Sequence, residues 1–132
     1  SAFATVDLLC IRPYDRYIVS FSKIGGSESI VLHGPNVEIG VFCFVAVGML
    51  PDIKVQGQAK RLDDGDIIIM MSDGNSEAGF GTVRTDWLKK EIKMPFDTMD
   101  EMAQSVIENA VKKSRDAVID DMTVATIRLI RN

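Results

Sequence analysis

The chain has 132 residues, of which 46% are hydrophobic and 26% charged, the composition of one globular domain. Its formal net charge of -4, from 15 basic and 19 acidic residues, argues against a nucleic-acid-binding surface, which usually needs a basic patch. The longest apolar run, residues 41–50, is interrupted by Gly48 and is far shorter than the roughly 20 residues that cross a bilayer, so we also expect no membrane contact.

The two cysteines, Cys10 and Cys43, each lie among apolar neighbours in a strand-like run. We interpret them as buried thiols of a reducing compartment and not as a disulfide. The first residues carry neither a basic region nor a cleavage-type segment of a secretory signal. The sequence therefore predicts a cytoplasmic protein.

The first half of the chain has the alternation and the breaker residues of short antiparallel strands. Its predicted strands cover residues 3–11, 17–24, 29–32 and 54–62, and residues 37–47 are predicted as a strand followed by a loop. We expect these strands to form a meander in which the first strand is mostly buried. His33 lies in the turn His33-Gly34-Pro35-Asn36. We interpret it as exposed and structural, since one imidazole without a nearby acid makes no catalytic dyad.

The second half changes to a helical period. A short helix is predicted over residues 85–92 and cannot continue through Pro95. A longer helix follows Thr98, which has capping-box spacing to Glu101. We interpret its apolar stripe as core packing, formed by Met99, Met102, Ala103, Val106, Ile107, Ala110 and Val111. Strands, then helices, then a final strand predict one α+β domain, residues 1–132, with helices on an antiparallel sheet.

Two aspartates stand at the ends of apolar strands. Asp73 lies in Ser72-Asp73-Gly74, which directly follows residues 67–71, and Asp120 opens the segment Asp120-Asp121-Met122-Thr123 before residues 124–130. If these strands pair, the two carboxylates form an oxygen-rich site suited to magnesium or manganese. Taken alone, Ser72-Asp73-Gly74 also fits a plain turn and Asp120-Asp121 an exposed acidic turn.

A family pattern emerges when the motifs are taken in order. They are Phe3-Ala4-Thr5-Val6, Gly25-Gly26, Leu62-Asp63-Asp64-Gly65-Asp66, Met71-Ser72-Asp73-Gly74 with Glu77, and Asp120-Asp121-Met122-Thr123-Val124. In this order they resemble the metal-dependent serine/threonine phosphatases of the protein phosphatase 2C superfamily, especially the stage II sporulation protein E branch. The resemblance implies an α-β-β-α sandwich with two manganese or magnesium ions at its rim, where activated water hydrolyses phosphoserine.

The same resemblance implies roles for individual residues. Asp73 and Asp120 take the positions of catalytic metal ligands. Asp121 takes a supporting position that orients its neighbour or a water, Gly74 allows a sharp turn, and Ser72 hydrogen-bonds within the site. The implied partner is a phosphorylated regulatory protein of a bacterial sigma factor.

One family motif has no counterpart here. A Gly-Asp-Gly-Met-Gly-type segment supplies the aspartate that bridges both ions in the family, and no segment of this chain corresponds to it. The chain therefore resembles the C-terminal half of the domain, expected to ligate at most one ion well and to be incomplete for catalysis alone. Two alternatives stay open: a non-catalytic interaction or dimerisation module derived from a phosphatase, and a fragment of a longer enzyme.

Overall fold

The computed structural model describes residues 6–24, 29–40, 56–72, 82–114 and 121–131. Within these residues lie seven strands and two helices. In chain order they are β1 (Val6–Pro13), β2 (Tyr17–Ile24), β3 (Ser29–His33), β4 (Asn36–Gly40), β5 (Gln56–Leu62), β6 (Ile67–Met71), α1 (Thr82–Ile92), α2 (Met99–Ser114) and β7 (Val124–Arg128). The predicted α+β class is confirmed.

The strands form two antiparallel sheets instead of one meander. The first has the order β1-β2-β5 and the second the order β4-β3-β6-β7. The hairpins β1-β2 and β3-β4 join neighbours in sequence, but β5 pairs with β2 and β6 with β3. The meander prediction was wrong because side-chain alternation identifies strands without specifying which strands pair.

One core lies between the two sheets. Alternate residues of β2 are buried there, with Val19 fully inaccessible and Phe21 1% exposed. Successive side chains of a strand point to opposite faces, so these residues share the face that meets the second sheet. The full buried cluster is Tyr17, Val19, Phe21, Val31, Leu62, Ile68 and Leu129.

A second core lies between the second sheet and the helices. Ile30 and Ile69, paired across β3 and β6, face the helices while their neighbours face the first sheet. β6 is therefore buried on both faces, as its continuous apolar sequence predicts. The helices contribute Trp87, Leu88, Ile92, Met102, Val106 and Ala110. The layers run sheet, sheet, helices, which agrees with part of the α-β-β-α arrangement.

Helix α2 begins with the predicted side-chain cap. Glu101 N donates to Thr98 Oγ1 at 3.2 Å, and the Glu101 carboxylate accepts from Asp97 N at 3.1 Å, one residue before the amide that a capping box uses. Val111 is 46% exposed, because only the row of Met102, Val106 and Ala110 faces the sheet directly. Neither helix in the described residues is long and apolar enough to cross a bilayer.

Strand β1 differs most from its prediction. Its described part, Val6–Pro13, is mostly exposed and carries Leu8 at 61% exposure, while the predicted residues 3–5 lie outside the described residues. Cys10 is an exposed free thiol and not a buried one, whereas Cys43 lies outside the described residues. Within the described residues the first sheet is covered only on its inner face, so apolar composition alone overestimates the burial of β1.

Candidate metal centre

Strands β6 and β7 meet at one edge of the second sheet, where β6 ends and β7 begins. Met71 pairs with Val124, and beyond this pair Ser72 N donates to Thr123 O at 2.9 Å. The Ser72 hydroxyl accepts from Thr123 N at 2.9 Å and donates to Asp121 O at 3.2 Å. The contacts between the two chain segments therefore continue past both strands to residue 121.

The predicted ligands Asp73 and Asp120 lie outside the described residues, as does Gly74. Their sequence neighbours Ser72 and Asp121 are described and touch each other. The strand pairing on which the predicted site depends is thus present, while the convergence of the two carboxylates and the orienting role of Asp121 stay predictions. Carboxylates carried by adjacent strand ends are hard oxygen donors, so the residue types fit a divalent ion such as manganese or magnesium.

A different charged cluster lies at the other end of β6. Asp66, 6% exposed, directly precedes the strand. Its Oδ2 accepts from Asp63 N at 2.7 Å and from His33 Nδ1 at 2.5 Å, and its Oδ1 accepts from Gly34 N at 3.2 Å. One carboxylate thereby joins the turn before β6 to the turn after β3.

Arg16 extends this cluster to the turn between β1 and β2. Its Nε and Nη2 donate to the two carboxylate oxygens of Asp63 at 2.5 Å and 2.8 Å. This bidentate hydrogen bond lowers the pKa of Asp63 and raises the pKa of Arg16. Arg16 and Asp63 lie next to the paired residues Tyr17 and Leu62 of the first sheet, so the ion pair extends the contact between β2 and β5. Both side chains are 48% exposed, so the pair contributes little stability.

His33 is half-buried beside two acids, so the prediction of an exposed imidazole without a nearby acid was wrong. Besides the bond to Asp66, its Nε2 lies 3.9 Å from Asp63 Oδ2. The hydrogen bond that His33 donates to Asp66 raises the pKa of His33 above its ordinary value of 6.5. Leu32 pairs with Ile67 in antiparallel strands, so His33, which follows Leu32, lies beside Asp66, which precedes Ile67. Strand pairing creates this contact, and the sequence pattern does not specify which strands pair.

The raised pKa of His33 predicts a pH-dependent stability. A group whose pKa is higher in the folded state contributes stability that is fully present below pH 6.5 and is lost as pH rises through the folded pKa. We expect the His33 contribution to the free energy of unfolding to decline above about pH 6.5. Urea denaturation of the native protein and of His33→Gln at several pH values measures it. Parallel pH profiles of the two proteins would contradict the prediction.

This cluster does not supply a second metal site. The potential ligand atoms of His33, Asp63 and Asp66 lie within 4.8 Å of one another. However, both oxygens of Asp63 bind Arg16, and both oxygens of Asp66 accept backbone amides. A cation would have to displace these donors, so we assign the cluster to joining the turns. The motif Leu62-Asp63-Asp64-Gly65-Asp66 was singled out only as part of the family pattern and did not indicate this role of Asp66.

The sequence profile of the family Stage II sporulation protein E (SpoIIE) matches residues 1–130. The chain belongs to the SpoIIE family. This confirms the resemblance found in the motifs, and the match includes the segments that contain Asp73 and Asp120.

Two curated relatives in the family carry the name Stage II sporulation protein E. The protein of Bacillus subtilis (strain 168) is 28% identical over 132 residues, covering 98% of this chain and 16% of the relative. The protein of Priestia megaterium is also 28% identical over 132 residues, covering 98% of this chain and 22% of the relative. The chain thus spans less than a quarter of the length of either relative.

Solved structures of phosphatase domains share the fold. The phosphatase domain of the cell fate determinant SpoIIE from Bacillus subtilis, presoaked with manganese, matches with a TM-score of 0.77 and 29% identity, over 97% of this chain and 57% of that one. The catalytic domain of the serine/threonine phosphatase PstP, in complex with 2 manganese ions, matches with a TM-score of 0.71 and 15% identity, over 96% of this chain and 60% of that one. The second likeness concerns the fold alone.

Proposed function

We propose that this chain is part of a metal-dependent protein serine/threonine phosphatase and carries two of its metal ligands, Asp73 and Asp120. The observation that carries the proposal is the hydrogen-bonded junction of Ser72 with Thr123 and Asp121. That junction joins the strand ends leading to the two aspartates, in a chain of the SpoIIE family whose fold matches phosphatase domains. Manganese and magnesium both suit such carboxylate oxygens.

The proposed chemistry divides between the ion and the chain. When bound, a divalent ion activates water for attack on phosphorus and neutralises phosphate oxygens. Asp73 and Asp120 hold the ion, Gly74 turns the backbone beside it, and Asp121 orients its neighbour or a water. These roles belong to the edge of the second sheet where β6 ends and β7 begins. They do not involve the Asp66 cluster at the other end of β6.

We propose further that residues 1–132 are incomplete for catalysis alone. The chain covers 57% and 59% of two solved SpoIIE phosphatase-domain chains, which leaves room for further ligands from outside it. An aspartate that bridges two ions would come from that remainder. On its own, the chain would then hold at most one ion weakly.

The proposed substrate is phosphoserine on a regulatory protein of a bacterial sigma factor, in the cytoplasm. Membership of a sporulation protein family supports a regulatory target. The acidic net charge of -4 supports a protein substrate over nucleic acid. The exposed free thiol of Cys10 is consistent with a reducing compartment.

Phosphate release tests the proposal. The chain is assayed alone and joined to the N-terminal portion of a family phosphatase domain, on phosphoserine and phosphothreonine peptides. We expect manganese-dependent turnover of phosphoserine only in the joined protein, with loss upon chelation and recovery upon adding manganese. No turnover with manganese, or turnover that survives chelation, would contradict the proposal.

A second candidate function is a non-catalytic module that binds a partner or a second copy of itself. Exposed apolar side chains on the outer face of the first sheet favour it, namely Leu8 at 61% and Val6 at 36% exposure. Light scattering over a range of concentrations tests this candidate. A strictly monomeric chain would argue against self-association through this face.

A further inference from the structure

The Ser72 hydroxyl makes two hydrogen bonds across the strand ends that the backbone alone does not provide. It accepts from Thr123 N and donates to Asp121 O, at 2.9 Å and 3.2 Å. Regular pairing of β6 with β7 stops at Met71 and Val124. The hydroxyl therefore extends the connection between the two segments to the residue that adjoins Asp120.

We infer that Ser72 is a positioning residue for the metal site, because its hydroxyl sets the separation between the backbone positions that lead to Asp73 and Asp120. The inference rests on the proposed function. A side chain that holds the backbone of both ligand segments acts on ion affinity through those segments, as partners of metal ligands do. Ser72 itself need not touch the ion or the substrate.

The simpler alternative is that Ser72 only stabilises a strand end. β7 offers a matched control for this alternative, because Thr126 Oγ1 donates to Met99 O at 2.7 Å and connects the strand to helix α2. Thr126→Val removes a hydrogen-bonded hydroxyl from β7 without touching the strand-end junction. A purely structural effect would make Ser72→Ala and Thr126→Val behave alike.

Manganese titration calorimetry on the full polypeptide that contains this chain separates the two roles. We expect Ser72→Ala to weaken manganese binding by about 10- to 100-fold, Ser72→Thr to recover most of the affinity, and Thr126→Val to leave it unchanged. Amide hydrogen exchange provides a readout that needs no metal. Removing the hydroxyl should accelerate exchange of the Thr123 amide, and Ser72→Thr should restore its protection.

The outcomes separate this inference from the proposed function. If the native protein binds no manganese, the proposed function fails and this inference fails with it. If the native protein binds manganese and Ser72→Ala binds it equally well, only the positioning role is overturned. Equal losses of affinity in Ser72→Ala and Thr126→Val would likewise overturn it, since they would indicate general destabilisation.

Discussion

Replacing Asp73 with asparagine in the joined protein of the phosphate-release assay is expected to lower manganese-dependent turnover by more than about 100-fold, and Asp120→Asn should do the same. Asparagine keeps the size of the side chain but removes the negative charge that a divalent ion requires. Removing a direct metal ligand should lower turnover more than removing a residue that only supports a ligand. Phosphate release at several manganese concentrations measures both variants.

The control for these variants is Asp15→Asn. Asp15 is exposed in the turn between β1 and β2, at the other edge of the sandwich, and its carboxylate makes no hydrogen bond within the described part of the chain. This substitution makes the same change of charge and should leave turnover unaltered. Full activity in Asp73→Asn and Asp120→Asn would remove the chemical basis of the proposed function, whatever the control shows.

The largest expected effect on stability comes from Asp66→Ala. The substitution removes the buried acceptor of the Asp63 and Gly34 amides and the partner of His33. Hydrogen bonds to charged groups are strong, and unpaired donors are costly, so we expect a loss of about 3 kcal/mol in the free energy of unfolding. Denaturation by urea at neutral pH measures this loss.

Two further variants show whether the lost hydrogen bonds explain the effect. Asp66→Asn keeps one acceptor oxygen, so its loss should be smaller, about 1 to 2 kcal/mol. Asp15→Ala removes an exposed acid of the same edge and should change stability by less than about 0.5 kcal/mol. If Asp66→Ala also changed the free energy of unfolding by less than about 0.5 kcal/mol, the prediction would be contradicted. Water would then replace the carboxylate, and the turns would not depend on it.

Local sequence patterns predicted most of the secondary structure because the forces involved act between near neighbours. Residues 17–24 form β2 as predicted, and the continuous apolar run of residues 67–71 forms the central strand β6. The three- and four-residue spacing of apolar side chains predicted α2, and Thr98 predicted its start. Each of these signals is contained within a few turns of helix or one strand.

Burial was predicted less well, since it depends on what covers an element. Leu8 and Cys10 belong to an apolar run, yet both lie on the outer face of the first sheet and are exposed. Val111 belongs to the apolar stripe of α2, yet it lies beside the row that faces the sheet. Hydrophobic composition thus identified the elements but not how much of each surface is covered.

The α+β class, the main elements, the motifs of the family and the candidate ligands Asp73 and Asp120 all followed from the amino-acid sequence. The division of the strands into two sheets, the contact of His33 with Asp66, and the bond from the Ser72 hydroxyl to the segment after Asp120 became visible only in the folded protein. These contacts join residues 33 and 49 positions apart in the chain. Alternation and spacing describe neighbours along the chain, whereas strand pairing brings distant residues together.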